Sequence, residues 1–259
     1  MIKDMQNIIF IIILGAVVGS FLNLCIHRLP RSESIIFPAS HCPKCGHRLG
    51  FLDLVPILGY FLLRGRCRYC KAPISFRYPF VEILTVFLFA MVYLRSSHPL
   101  DQFFLLIFSA LLILIFFVDL EHQVIPDAAV YPGIACGLLY NFARGTNALV
   151  LALAGTVLGY ILFWLIAKLG KWWFKKEAMG EGDLFLAALL GAFLGAQLLL
   201  VALFLTYVIA GIFSLFLLVS GRVRFGEYIP FGPYLVAGAF CALFFGERIL
   251  NWYLMRLTW

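Results

Sequence analysis

Charge is the first thing this sequence is short of. Only 13% of its 259 residues are Asp, Glu, Lys or Arg, against about 25% in soluble domains. A chain so poor in polar groups cannot cover a folded surface with them, so most of its exterior must face lipid. Acids are the scarcer sign, 13 against 20 basic residues, which leaves a net charge of +7. That excess does not mark a nucleic-acid binder, because the charges fall in a few blocks between long apolar runs, as the positive-inside rule produces. A cleavable signal peptide is not expected: residues 1–4 carry one Lys, and the run 8–26 is long enough to span. Clear repeats, low-complexity linkers and a soluble domain tail are also missing.

What is present is apolar, 63% of the chain. A spanning helix needs roughly 20 apolar residues. Eight runs qualify: 8–26, 79–94, 103–118, 128–143, 149–169, 184–195, 198–220 and 234–250. The sixth is short and parts from the seventh only at 195–197. The expected fold is therefore an all-α membrane protein of about eight transmembrane helices, with one large polar insert, residues 28–78, between helices 1 and 2. Placing that insert in the cytoplasm puts 15 of the 20 basic residues on its side, including Lys168, Lys171, Lys175, Lys176, Arg222 and Arg224. Both termini then lie outside.

Of seven cysteines, Cys25, Cys136 and Cys241 lie inside apolar runs and read as small buried hydrophobes. The other four form Cys42-Pro-Lys-Cys45 and Cys67-Arg-Tyr-Cys70. Two such knuckles suit a tetrahedral zinc held by four thiolates, a closed and hence structural site. Two disulfides are the competing reading, disfavoured in a reducing cytoplasm. Gly46 suits the tight turn of the first knuckle. His41 and His47 adjoin the tetrad as solvated neighbours. The run 51–63, broken by Asp53, Pro56 and Gly59, is too short to span and is expected on the membrane surface.

Ionisable residues at membrane depth cost free energy and are usually functional. Asp119 closes the third run and Asp183 opens the sixth, so the topology sets both at the same membrane face. Two such carboxylates sharing a proton are the machinery of aspartic proteolysis. Asp183 is expected at a helix N-terminus, which favours an anion, and Asp119 at a C-terminus, which does not. On that ground Asp119 holds the shared proton and Asp183 is the base. Gly180 and Gly182 allow close backbone approach. The structural alternatives are an N-cap for Asp183 and an interfacial position for Asp119. Asp127, after Pro126, reads as the N-cap of the fourth helix. Glu82 either pairs with Arg77 or lines a polar pocket. Glu121 and Glu181 read as solvated neighbours.

Six segments, in order, resemble one family. Asp119-Leu-Glu-His-Gln-Val-Ile-Pro-Asp127 resembles the first aspartate motif of the type IV prepilin peptidases. Gly180-Glu-Gly-Asp183 resembles their GxGD motif, shared with presenilin-like proteases. Gly19-Ser-Phe-Leu-Asn-Leu-Cys-Ile-His-Arg-Leu-Pro30, the two knuckles, Arg77-Tyr-Pro-Phe-Val-Glu-Ile-Leu-Thr85 and Tyr228-Ile-Pro-Phe-Gly-Pro233 are similar to further family signatures. The resemblance implies removal of a short basic leader after a glycine, on the cytoplasmic side of a bacterial inner membrane, from type IV prepilins or pseudopilins. It also implies methylation of the new N-terminus with S-adenosylmethionine.

Carried over residue by residue, Asp119 and Asp183 are the catalytic pair, with Gly180, Gly182, Pro126 and Asp127 in support. Cys42, Cys45, Cys67 and Cys70 are the zinc ligands. Glu82, Arg77, Asn23 and Arg28 are candidates for the methyl-donor site, since no Gly-rich loop of a soluble methyltransferase is encoded. The chain then divides into a first helix (1–27), a basic insert associated with methyl transfer (28–78) and a membrane peptidase (79–259). Leader recognition is expected to use anionic lipid or acids such as Glu121, Asp127 and Glu181, with 226–232 as a mobile or re-entrant loop over the dyad. The bilayer and the prepilin are the expected partners, and nucleic acid is not. A transporter, or a membrane-anchored zinc module that binds a protein, are the readings from other classes.

Overall fold

The structure is a computed structural model that describes residues 2–175, 179–223 and 229–257. Lys176, Arg224 and residues 226–228 of the expected 226–232 loop, Tyr228 among them, lie outside the described residues. The chain forms two compact units, Met1–Leu114 and Ile115–Trp259.

In the first unit, α1 (Ile2–Arg28) and α3 (Arg77–Arg95) pack together. Gly15 and Gly19 make this contact close: a Cβ at Gly15 would meet the Val86 backbone, and one at Gly19 the Glu82 backbone. Small residues four apart let apolar helices approach where hydrophobic driving force is absent. The insert between them carries a short helix, α2 (Leu58–Leu62), and two isolated β-bridges. α4 (Pro99–His122) begins in this unit and ends in the second.

The second unit holds the end of α4, then α5 (Asp127–Ala143), α6 (Thr146–Phe174), α7 (Glu181–Val219) and α8 (Gly232–Leu257). As one rod, the 39 residues of α7 would be about 58 Å long, twice a bilayer core of about 30 Å. It is not a rod. Gly195 has φ 72° and ψ 169°, outside helical geometry, and the helix turns back there. Gly155 and Gly159 of α6 press against Gly191 and Ala187 of the first arm. Gly238 of α8 presses against Ala202 and Thr206 of the second arm, and Gly246 lies against Leu198. The break strands the last carbonyls of the first arm. Asn141 of α5 answers two of them, its Nδ2 donating to Ala192 O (2.9 Å) and Phe193 O (3.3 Å).

Six described helices are long and apolar enough to cross a membrane, with α7 counted once. The 17-residue α5 and the second arm of α7 bring the apolar passes to eight, as expected, and the expected division at 195–197 falls at Gly195. One expectation fails by a single position. α5 starts at Asp127, with Pro126 as its extended N-cap and no side-chain capping bond. The proline ring fixes its own φ and leaves Asp127 the first helical residue, where its charge still complements the helix dipole.

Candidate active site

The insert is built from two copies of one turn. Cys42 N–H donates to His47 O and Gly46 N–H to Cys42 O; Cys67 N–H donates to Ala72 O and Lys71 N–H to Cys67 O. Bridges His41–Arg48 and Arg66–Pro73 close the two turns. All seven cysteines are free, and the ligand atoms of Cys42, Cys45, Cys67 and Cys70 lie within 4.8 Å of one another. Sulfurs around a tetrahedral zinc at about 2.3 Å sit about 3.8 Å apart, and Cys42 Sγ is 3.8 Å from Cys70 Sγ.

Backbone N–H groups of Cys45 and Lys44, against the effect of burial, bring the Cys42 thiol down to about 7. At Cys70 the Ala72 amide lowers the thiol, but burial and the other three thiols drive it up to about 11. Four thiolates so close resist ionising together, and a divalent cation removes that conflict. The donor set therefore fits a metal ion. His41 and His47 stay outside the cluster: His47 packs on the Tyr69 ring, and His41 Nδ1 faces Ala39 O. Arg68 Nε donates to Asp53 Oδ1 at 2.6 Å, which braces the second knuckle against the 51–53 turn.

The four residues expected near a methyl donor gather around the insert end of α1 and α3. Glu82, 7% exposed, accepts from the Ile57 amide at 2.6 Å. Asn23 is buried, and its Nδ2 donates to Tyr78 O at 2.9 Å, while its Oδ1 has no partner among the described residues. Arg28 reaches into the insert and donates to Ser34 O (2.8 Å) and Pro38 O (2.7 Å). Arg77 lies over the Tyr78 ring. Glu82 and Arg28 thus fasten the insert to the helices, and Asn23 offers a buried acceptor.

In the second unit, Asp119 lies in the last turn of α4 and Asp183 in the first turn of α7. They are 4% and 5% exposed, so both side chains are enclosed by other residues. The Asp119 charge reaches Asp183. Asp183 is not the N-cap. Gly180 is, and its N–H lies near the Asp183 carboxylate. Gly182 has no room for a side chain, because a Cβ would come within 2.8 Å of Ile125 Cβ. That contact fastens the segment after Asp119 to the turn before Asp183.

A third helix end arrives from α8. A Cβ on Gly232 would collide with the Asp119 carboxylate, and the Gly232 amide faces that carboxylate. Asp119 therefore also meets a helix N-terminus. The contrast of helix ends expected to separate the two acids is offset, since both carboxylates meet a helix N-terminus. Among the described residues, Asp119 Oδ2 is buried without a hydrogen-bond partner. Tyr207, in the second arm of α7, lies within coulombic reach of Asp183. The expected 226–232 loop over the dyad takes in Gly232, but nothing in the sequence marks Tyr207 as a neighbour of the acids. The turn at Gly195 is the one signal that brings Tyr207 back towards residue 183.

Comparison with known proteins covers both units. Residues 13–96 match the family described as the bacterial peptidase A24 N-terminal domain, and residues 106–215 match the type IV leader peptidase family. A protein of Aeromonas salmonicida is 34% identical over 95% of this chain and 94% of its own length. One from Pseudomonas putida is 36% identical over 92% and 90%. One from Myxococcus xanthus is 40% identical over 83% of this chain and 64% of its own. Each of these relatives is named prepilin leader peptidase/N-methyltransferase. No solved structure matches. With identity of this order sustained from end to end, the chain belongs to the type IV leader peptidase family.

Proposed function

We propose that this chain is a membrane aspartic endopeptidase that removes the leader of a type IV prepilin or pseudopilin after a glycine and then methylates the new N-terminus. The observation that carries the reading is the meeting of two buried carboxylates, Asp119 and Asp183, within reach of each other's charge. With one proton between them, the ionised carboxylate draws a proton from water. Its partner hydrogen-bonds the scissile carbonyl and gives up its proton as the oxygen adds to carbon. The resulting diol collapses, the C–N bond breaks, and nitrogen leaves with a proton as the new N-terminal amine. The basic residues of the insert support a cytoplasmic position for this face in a bacterial inner membrane.

Methyl transfer is supported by the names of the relatives. S-adenosylmethionine supplies an electrophilic methyl group for the amine. Asn23, with its unpartnered Oδ1, and Glu82 and Arg77 beside it, are the residues proposed to hold it. The four cysteines are proposed to hold a structural zinc.

The test is direct. The full chain in lipid nanodiscs, given a prepilin peptide with its leader and apolar segment plus S-adenosylmethionine, yields a product that is shorter and one methyl heavier by mass spectrometry. Asp119→Ala or Asp183→Ala abolishes cutting, by at least about 10³-fold in rate, while a pre-cleaved peptide is still methylated. An uncut peptide with the wild-type chain, or full cutting by either variant, removes the reading.

A further inference from the structure

Because α7 turns back at Gly195, residues equally far from the turn come to lie opposite each other. Asp183 and Tyr207 are such a pair, each twelve positions from Gly195. In a continuous helix they would be about 36 Å apart, yet the Asp183 charge reaches the Tyr207 phenol. The Tyr207 ring is 44% exposed and packs on Phe231 at 5.6 Å between centroids. Phe231 also packs on the fully buried Phe163, and it directly precedes Gly232, which lies against Asp119. Tyr207 is thus held by its ring on Phe231, whose chain neighbour Gly232 lies against Asp119, and it sits within reach of the Asp183 charge. Among the described residues that hydroxyl has no hydrogen-bond partner.

The dyad alone leaves one demand unmet. It supplies one base and one proton, but negative charge gathers on the carbonyl oxygen before the acid's proton has fully reached it, in a low-dielectric site. A neutral O–H donor beside the acids stabilises that oxygen charge without adding a charge of its own. Phe163 and Phe231 offer no such donor.

We propose that Tyr207 is a catalytic residue of the cleavage step, its phenol O–H donating a hydrogen bond to the scissile carbonyl oxygen as that carbon becomes tetrahedral. The assignment rests on the dyad reading above. The bonds made and broken are those of that step, and Tyr207 keeps its proton throughout.

Tyr207→Phe keeps the ring packing and removes only the donor. It lowers kcat for cutting by roughly 10²-fold, the usual effect of losing one oxyanion donor. KM stays within about twofold, and methylation of a pre-cleaved peptide is unchanged. Incorporating 3-fluorotyrosine at position 207 changes the donor strength and leaves the packing alone, so kcat shifts while KM does not. Wild-type kcat in Tyr207→Phe, a change confined to KM, or indifference to fluorination overturns the proposal. If the wild type cuts and Asp119→Ala does not, such a result removes the role of Tyr207 and leaves the dyad standing. A wild type that cuts nothing removes both.

Discussion

At the scale of single residues, the glycines carry most of the site's geometry. Gly232 leaves room for the Asp119 carboxylate, and any Cβ there collides with it. Gly232→Ala is therefore expected to push that carboxylate off its position and to lower the cutting rate by about 10²-fold, as ångström-scale misplacement does. Steady-state cleavage by the variant, with an unchanged melting temperature, checks this. The sequence shows such a residue only as one glycine between Phe231 and Pro233, with nothing to say which acid it meets. Gly182 was legible as a place of close approach, but not that the approach is to Ile125. The knuckles show the same limit from the other side. Gly46, with φ 69°, announces its turn, whereas the equivalent position of the second knuckle is Lys71, with φ 59°. A lysine does not advertise a left-handed conformation, since few residues other than glycine adopt it readily.

At the scale of elements, apolar run length is the strong signal, and it located every helical pass. Eight runs became eight passes because backbone groups in lipid leave little choice but helix. What run length cannot report is how passes pair. Gly15 and Gly19 set α1 on α3, and Gly155 and Gly159 set α6 on the first arm of α7, through contacts that depend on which small residues face each other. The insert poses the opposite problem, a segment of about 50 residues whose apolar side chains stay exposed, with Phe51 at 86% and Leu62 at 79%. A segment with so little core relies on a staple. The purified chain should carry one zinc by elemental analysis. Its removal by a chelator should open the basic sites of 44–71 to trypsin while α3 and α6 stay protected. An insert equally resistant with and without metal would contradict a structural role for the tetrad.

At the scale of the whole molecule, the chain sets three helix ends around two acids: the C-terminus of α4 and the N-termini of α7 and α8. The turn at Gly195 adds the second arm and its tyrosine. The order of the two acidic motifs along the sequence made a pair foreseeable. Their joint burial across 64 positions, and the arrival of α8 at Asp119 across 113, depend on packing between helices far apart in the chain, which no local pattern encodes. The central claim is that Asp119 and Asp183 act as one unit, and groups that act as a unit show strongly non-additive losses. The most direct measurement is the rate of prepilin cutting by Asp119→Asn, by Asp183→Asn and by the chain carrying both. Each single variant is expected to fall to the same background, with the double variant no lower. A single variant that keeps a substantial rate, or a double whose loss is the product of the two single losses, would contradict a shared-proton dyad.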